Sequence, residues 1–209
     1  MTDPIADTLA WYDRQAVDFA ARTADLDLAP LYGRFLRHVR PGGRILDAGC
    51  GVGRDTLAFA DRGFEVVAFD ASEEMARLAR ERVGGRAEVL RMRFEDVAWQ
   101  EEFDGIWACA SLLHVSAAGF PGVAARLAVA LRHGGAWYMS FKHGTSERID
   151  GGRRFTDHTE ASLGEALLGN GLEPAEAWVT DDVRVGHGRR HERWLNAIVV
   201  RGLSPFDQR

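Results

Sequence analysis

Apolar residues recur along the chain in two different patterns. Short apolar runs of strand length alternate with longer stretches in which apolar residues return every three or four positions, as on one face of a helix. Strands that alternate with helices in this way predict a parallel sheet covered on both faces. The first helical stretch, residues 5–22, carries such a face at Leu9, Tyr12, Ala16 and Phe19.

The same patterns predict the other elements in order. Helices are expected from Ser72 onward and over residues 31–39, 54–61, 120–131 and 159–168. Buried strands are expected over residues 44–47, 64–69, 87–91, 103–109 and 136–141. Two β-rich stretches, residues 175–185 and 194–200, flank a polar turn at 186–190 and predict a hairpin at the end of the sheet.

These elements predict a Rossmann-like, doubly wound α/β fold: a seven-stranded sheet in three αβα layers with an antiparallel last strand. A chain of 209 residues fits one domain, and no linker interrupts it. We therefore expect a single domain over residues 1–209, with a core at 41–203 preceded by helices at 1–40.

Composition narrows the class of partner. The formal net charge of -5 argues against general nucleic-acid binding, which needs a basic excess to neutralise phosphates. No apolar run is long enough to span a membrane, and the acidic first residues are unlike a secretory signal. Two cysteines, Cys50 and Cys109, are too few for a disulfide framework and read as buried fillers. We expect a cytoplasmic protein that does not bind membranes.

The chemistry begins at a glycine-rich loop, Asp47-Ala48-Gly49-Cys50-Gly51-Val52-Gly53, between a predicted strand and a predicted helix. Open α/β proteins bind ligands at this edge of the sheet, and glycines let the backbone approach them closely. Asp70 ends the next strand, 19 residues after Gly51. A carboxylate there can accept hydrogen bonds from both ribose hydroxyls of an adenosine.

Dinucleotides and adenosylmethionine both fit these two features. The dinucleotide fingerprint G-x-G-x-x-G needs a third glycine, and that position is Arg54. Asp47 adds an acid, which is unfavourable beside a pyrophosphate but suitable near the amino group of a methionine. The loop therefore favours adenosylmethionine.

Four segments, residues 45–55, 66–72, 93–97 and 103–114, resemble the successive motifs of class I adenosylmethionine-dependent methyltransferases. The likeness covers about residues 12–200. Within that family, residues 107–115, Trp-Ala-Cys-Ala-Ser-Leu-Leu-His-Val, are similar to a compact bacterial group that includes tellurite-resistance methyltransferase-like proteins.

The resemblance implies S-adenosyl-L-methionine as cofactor, S-adenosyl-L-homocysteine as product and an N-terminal helical lid over residues 1–40. It assigns Asp47, Gly49 and Gly51 to the methionine and ribose part, and Asp70 to the ribose hydroxyls. The rest of the implied cofactor set is Cys50, Arg54, Asp55, Ala71, Ser72, Met75, Phe94, Glu95, Ala110 and Ser111. Family members often carry an aspartate where this chain has Arg93-Phe94-Glu95-Asp96, so the acid that meets the adenine amine stays open.

Methyl transfer from a sulfonium is an in-line displacement that depends mainly on alignment and on exclusion of water. His114 follows the fourth strand closely and is a candidate general base or substrate contact. Tyr12, on the first helix, is a candidate lid residue with the same two roles. Lys142, Arg153 and Arg190 lie in the late loops of the chain, where they could bind an anionic acceptor. No metal is expected.

The acceptor class is left with alternatives. Nucleic-acid amino methyltransferases carry a [DN]-P-P-[YFW] segment where this chain has Cys109-Ala110-Ser111-Leu112. A small-molecule acceptor, with an anionic one among the options, is therefore favoured over a nucleic acid or protein. A non-catalytic adenosine- or dinucleotide-binding module, or a dehydrogenase that tolerates Arg54, are alternatives of other classes.

Overall fold

The computed structural model describes residues 4–23, 26–182 and 192–203. In those ranges the α-helices are α1 Pro4–Thr23, α2 Ala29–Leu36, α3 Arg54–Ala60, α4 Glu73–Val83, α5 Phe120–Ala130 and α6 Glu160–Leu167. The strands are β1 Arg44–Ala48, β2 Glu65–Asp70, β3 Glu88–Arg91, β4 Phe103–Ala108, β5 Leu131–Lys142, β6 Glu147–Asp150, β7 Arg153–Thr156, β8 Leu172–Asp181 and β9 Arg193–Arg201. Two 3-10 turns cover Phe94–Asp96 and Leu112–His114.

The main sheet has seven strands in the order β3-β2-β1-β4-β5-β9-β8. The first five positions of this order are parallel, and β9 runs antiparallel to both of its neighbours, β5 and β8. The order reverses direction between β1 and β4, which is where ligands bind in sheets of this kind. The predicted fold, including the antiparallel last strand, is confirmed.

Helices cover both faces of the sheet because successive side chains of a strand point to opposite sides. Val66 and Trp107 pack on one face with Phe35 of α2 and Phe59 of α3. Ala68 joins that face beside α4. On the other face α5 and α6 bury the alternate positions, including Val67. The three predicted layers are therefore present.

The structure differs from the sequence prediction in two places. Strand β5 begins at Leu131 rather than 136, because Leu131 pairs with Phe103 before a register shift at Gly105. A small hairpin, β6–β7, follows β5 where no element was predicted. Its strands are four residues each and mostly polar, so they lack the apolar run by which the longer strands are recognised.

Helix α1 lies against two parts of the core. Its Asp13 accepts a hydrogen bond from Ser72 Oγ at 2.5 Å, at the start of α4. On the other side, Thr8 Oγ1 accepts the backbone N–H of Arg154 on β7 at 3.0 Å. Helix α1 thus bridges α4 and the β6–β7 hairpin over the carboxyl edge of the sheet.

Candidate functional site

A cavity of about 300 Å³ opens at the carboxyl edge of the parallel strands, beneath α1. Its wall runs from the glycine loop after β1, past the ends of β2, β3 and β4, to the ends of β5, β8 and β9. Residues predicted for the cofactor or for catalysis that line it are Tyr12, Gly49, Cys50, Gly51, Arg54, Asp55, Asp70, Ala71, Met75, Phe94, Glu95, Ala110, Ser111 and His114.

The glycine loop is shaped by a close approach to the loop after β4. Gly49 has φ +80°, and a Cβ atom there would lie 2.4 Å from the Cβ of Ser111. Ser111 Oγ donates to the carbonyl of Ala48 at 2.7 Å, which fixes this approach. Only glycine satisfies both the backbone conformation and the space at this position.

Asp70 ends β2 and faces the cavity. Its Oδ2 accepts the backbone N–H of Gly51 and its Oδ1 that of Ser72, both at 2.9 Å. Burial raises the pKa of this carboxyl to about 6, although the two backbone donors oppose the rise. Because each carboxylate oxygen has a second lone pair, Asp70 keeps acceptor capacity toward the cavity.

Beyond Asp70 the wall suits a flat, apolar group. Phe94 contacts Phe69 edge to face, with ring centroids 5.2 Å apart. Ala71 and Met75 lie on the same wall, whereas Ser72 is turned away and caps α4 by accepting Met75 N–H at 3.2 Å. Of the two acids in this segment, Glu95 lines the cavity. Asp96 instead accepts the backbone N–H of Arg93.

Arg54 and Asp55 form a buried hydrogen-bonded cluster at the cavity wall. Arg54 holds Asp55 with Nε on Oδ1 at 2.6 Å and a second guanidinium nitrogen on Oδ2 at 3.1 Å. Tyr32 Oη donates to Oδ1 at 2.7 Å, and Trp107 Nε1 donates to Oδ2 at 2.8 Å. The remaining guanidinium nitrogen donates to the carbonyl of Thr23 at 3.3 Å. Asp55 thus fixes the direction of the Arg54 fork from helix α3.

Asp47 does not line the cavity. It is 2% exposed and accepts a hydrogen bond from Thr56 Oγ1 at 2.6 Å. Burial and the nearby charge of Asp55 raise its pKa. The sequence placed this acid against the ligand, and the structure places it behind the loop, where it joins β1 to α3.

His114 is held at both ring nitrogens. Nδ1 lies 2.6 Å from the carbonyl oxygen of Arg154, and Nε2 lies 2.7 Å from Tyr12 Oη. Since a carbonyl can only accept, Nδ1 carries the proton and Nε2 accepts from the tyrosine. Burial lowers the pKa of His114 to about 4, helped by the charges of Arg153 and Lys142. The histidine is therefore neutral at physiological pH.

The residues predicted to bind an anionic acceptor are not gathered at the cavity. Lys142 Nζ pairs with Glu192 at 2.9 Å and lies over the ring of Phe155. The guanidinium of Arg153 stacks on Trp11 at 4.0 Å. Arg190 lies outside the described residues. Both described cations are taken up in packing α1 and β9 against the β6–β7 hairpin, so neither lines the cavity wall.

The far end of the cavity is built from residues that the sequence did not predict to bind a ligand. Tyr138 Oη donates to Asn196 Oδ1 at 2.7 Å, and Asn196 Nδ2 donates to Thr180 Oγ1 at 3.1 Å. This chain of hydrogen bonds joins β5, β9 and β8. Other residues at this end are Leu26, Leu28, Leu31, Cys109, Ser140, Asp181 and Trp194. For the members of this set on β5, β8 and β9, the available signal in the sequence was their position on strands that reach this edge of the sheet.

Ser140 on β5 has a specific partner in the loop after β4. Its Oγ accepts the backbone N–H of Ala110 at 2.8 Å. Ala110 has φ +53°, a left-handed conformation that is costly for a residue with a Cβ. The hydroxyl of Ser140 thus holds a strained turn at the middle of the cavity.

Comparisons with known proteins agree with this architecture. Residues 45–135 match a family model described as a methyltransferase domain. Over 75 residues the chain is 35% identical to the Bacillus subtilis protein YqeM, which is named as a methyltransferase. That match covers 34% of this chain and 30% of the relative, and the chain spans less than half the length of the curated relatives it matches.

Solved structures of methyltransferases share the fold over nearly the whole chain. The Burkholderia thailandensis 1,6-didemethyltoxoflavin-N1-methyltransferase, solved with its acceptor and S-adenosylhomocysteine, has a TM-score of 0.77 at 23% identity, covering 97% of this chain and 92% of that one. The magnesium protoporphyrin IX methyltransferase of Synechocystis PCC 6803 has a TM-score of 0.74 at 18% identity, covering 94% and 99%.

The chain therefore has the fold of class I methyltransferases, and its segment 45–135 matches the model of a methyltransferase domain. The fold predicted for this class is confirmed.

Two further findings concern the described residues only. No helix among them combines the length and the apolar character that are needed to cross a bilayer. In the same ranges, no three His, Cys, Asp or Glu side chains are grouped so that they could hold a metal ion.

Proposed function

We propose that this protein transfers a methyl group from S-adenosyl-L-methionine to a small-molecule acceptor. The observation that carries the proposal is one continuous cavity with a cofactor-like half, around Asp70 and the glycine loop, and a second half at β5, β8 and β9. Because the cavity extends from Ala110 toward both halves, it can hold the cofactor and the acceptor side by side.

The donor set of the first half fits adenosylmethionine. Asp70 would accept the ribose hydroxyls through the lone pairs left by Gly51 and Ser72. Phe94 and Met75 would contact the adenine, with Glu95 as the acid nearest its amine. Arg54, aimed by Asp55, would bind the carboxylate of the methionine part.

The protein itself contributes to the reaction by aligning the two reactants and by excluding water from the cavity. Adenosylmethionine supplies a methyl group already activated on a sulfonium. Holding two reactants in line can lower the barrier by roughly 7–11 kcal/mol, mostly through prepaid entropy. Helix α1 covers the cavity and would keep water out, which is the lid role proposed for the N-terminal helices.

The size of the cavity supports a small acceptor. A volume of about 300 Å³ is at the lower end of ligand pockets, and much of it is needed for the cofactor. The two similar structures are enzymes named for small-molecule acceptors, didemethyltoxoflavin and magnesium protoporphyrin IX, rather than for a nucleic acid or a protein. The wall described here contains the cations Arg54 and Arg93, of which Arg54 is paired with Asp55, so an anionic acceptor gains little support.

Isothermal titration tests the cofactor part. We expect S-adenosylhomocysteine to bind and NAD not to bind; the reverse result would contradict the proposal. The acceptor part is tested by a methyl-release assay with adenosylmethionine and fractionated metabolite pools. A control with Asp70→Ala separates turnover by this site from background, since that variant should fail to bind the cofactor.

A further inference from the structure

The contacts of His114 leave it no free nitrogen for an acceptor molecule. Nδ1 donates to the carbonyl of Arg154, and Nε2 accepts from Tyr12 Oη. His114 therefore cannot take a proton from the acceptor directly. The group that can touch an acceptor is the oxygen of Tyr12, which lines the cavity.

We propose that Tyr12 and His114 form a two-residue proton relay in which Tyr12 accepts the acceptor's proton and passes its own to His114. The proposal rests on the proposed function. Tyr12 is the residue in contact with the acceptor, and His114 acts through it.

The step balances in atoms and charge. The acceptor atom X loses its proton to Tyr12 Oη and bonds to the methyl carbon, while the electron pair of the carbon–sulfur bond stays on sulfur. The hydroxyl proton of Tyr12 moves to Nε2, so tyrosine ends neutral and His114 ends as an imidazolium. Its Nδ1–H remains bonded to the Arg154 carbonyl, which stabilises that cation.

Electrostatics around His114 suit a relay that operates only during transfer. The charged groups that face its ring are Arg153 on β7 and Lys142 on β5, and α1 contributes the neutral Tyr12. Burial, helped by the charges of Arg153 and Lys142, lowers the pKa of His114 to about 4, so the ring is an unprotonated acceptor before reaction. When the sulfonium charge disappears, the imidazolium charge replaces it, and the positive charge of the cavity is conserved.

The relay also defines a class of acceptor. The reacting atom must arrive with a proton, as a hydroxyl, a thiol or a ring N–H does, rather than as a preformed anion. Such a proton can be donated to Tyr12 Oη while the lone pair of X faces the methyl group.

Nitrogen NMR of His114 in the complex with S-adenosylhomocysteine tests the geometry without an acceptor. We expect Nδ1 to be protonated and Nε2 to be unprotonated from pH 6 to 9. In Tyr12→Phe the Nε2 resonance should shift while Nδ1 stays. A proton on Nε2 in the wild type, or an unshifted Nε2 in the variant, would overturn the relay.

Turnover of the acceptor found in the methyl-release assay tests the chemistry. Tyr12→Phe and His114→Asn should each lower kcat by about 100-fold or more, the usual share of acid–base catalysis, with the KM for adenosylmethionine unchanged. The double variant should be no slower than either single one. If Tyr12→Phe keeps the wild-type kcat while His114→Asn loses it, His114 acts directly and the relay is wrong. Failure of S-adenosylhomocysteine to bind would instead contradict the proposed function.

Discussion

The hydroxyl of Ser140 lies 2.8 Å from the backbone nitrogen of Ala110 and accepts its hydrogen. Ser140 is on β5 and Ala110 follows β4, so this bond crosses between neighbouring strands at the carboxyl edge of the sheet. Ala110 has φ +53° and lies between the two halves of the cavity. The bond therefore sets the backbone at the point where methyl transfer is proposed to occur.

Replacing Ser140 by alanine should leave the Ala110 N–H without its acceptor. An unsatisfied buried donor costs about 1–3 kcal/mol, and because Ala110 is half-buried, Ser140→Ala should lower the free energy of unfolding by about 1 kcal/mol, the lower end of that range. Affinity for S-adenosylhomocysteine should fall as the turn relaxes. Adding Ala110→Gly should recover part of the stability, because glycine adopts the left-handed conformation without strain. Urea unfolding and calorimetry measure both effects; a wild-type stability for Ser140→Ala would contradict them.

Gly49→Ala should destabilise the protein more than Gly63→Ala. Both glycines have left-handed φ, +80° and +84°. At Gly49 the new Cβ would also lie 2.4 Å from Ser111 Cβ, whereas at Gly63 nothing lies within 4 Å. The difference between the two unfolding free energies isolates the close approach of the loops, and overpacking of this kind costs about 1–3 kcal/mol. Equal losses would mean that the Gly49–Ser111 contact carries no cost.

Arg54→Met should separate two probes that differ in the methionine carboxylate. Binding of S-adenosylhomocysteine should weaken by roughly 10-fold or more, since a hydrogen bond to a charged group contributes about 1.5–3 kcal/mol. Binding of 5′-methylthioadenosine, which lacks that carboxylate, should stay unchanged. Asp55→Asn serves as the matched control, because it keeps the guanidinium but weakens its orientation. Equal losses for both probes would place the carboxylate elsewhere.

Affinity for S-adenosylhomocysteine should rise as the pH is raised from 5 to 7. The pKa of Asp70 is raised to about 6 in the free protein, so the carboxyl is increasingly protonated below that pH. Ribose hydroxyls bind the ionised form more strongly, and binding below pH 6 should release a proton. Asp70→Asn should bind weakly with no such pH dependence. A flat wild-type profile would remove Asp70 from ribose binding.

The same raised pKa affects the stability of the free protein. A carboxyl whose pKa is higher in the folded than in the unfolded chain stabilises the fold at low pH. That contribution is lost as the pH rises from about 4 through 6, and Asp70→Asn should remove this part of the pH dependence. Urea unfolding of both proteins across this range measures it.

The cofactor half could be predicted from the sequence because its elements are local. The glycine loop and Asp70 belong to one strand–helix–strand unit, so their spacing along the chain fixes their spacing in the fold. Asp47 was predicted to lie beside the ligand, but it bonds to Thr56 behind the glycine loop. The hydrophobic pattern shows that β1 is buried, but it does not show whether the side chain at the end of the strand points toward the cavity or toward α3.

The other half could not be predicted because its contacts are distant in the chain. Tyr12 meets His114 across 102 positions, and Tyr138 meets Asn196 across 58. Lys142 and Arg153 were predicted to bind an anion because the sequence does not show their partners in the fold. Lys142 forms an ion pair with Glu192, and Arg153 stacks on Trp11.

Because β9 lies between β5 and β8, the two halves of the cavity are expected to form at different stages of folding. Strands β1, β2 and β3, which carry the glycine loop and Asp70, pair with one another across 21 positions, whereas Lys142 on β5 pairs with Trp194 on β9 across 52 positions. Contacts with long sequence separation carry a larger loop-closure entropy and form slowly. We expect the wall that carries Tyr138, Thr180 and Asn196 to assemble after the β1–β3 unit during folding, so an intermediate can bind adenosine before it can discriminate between acceptors.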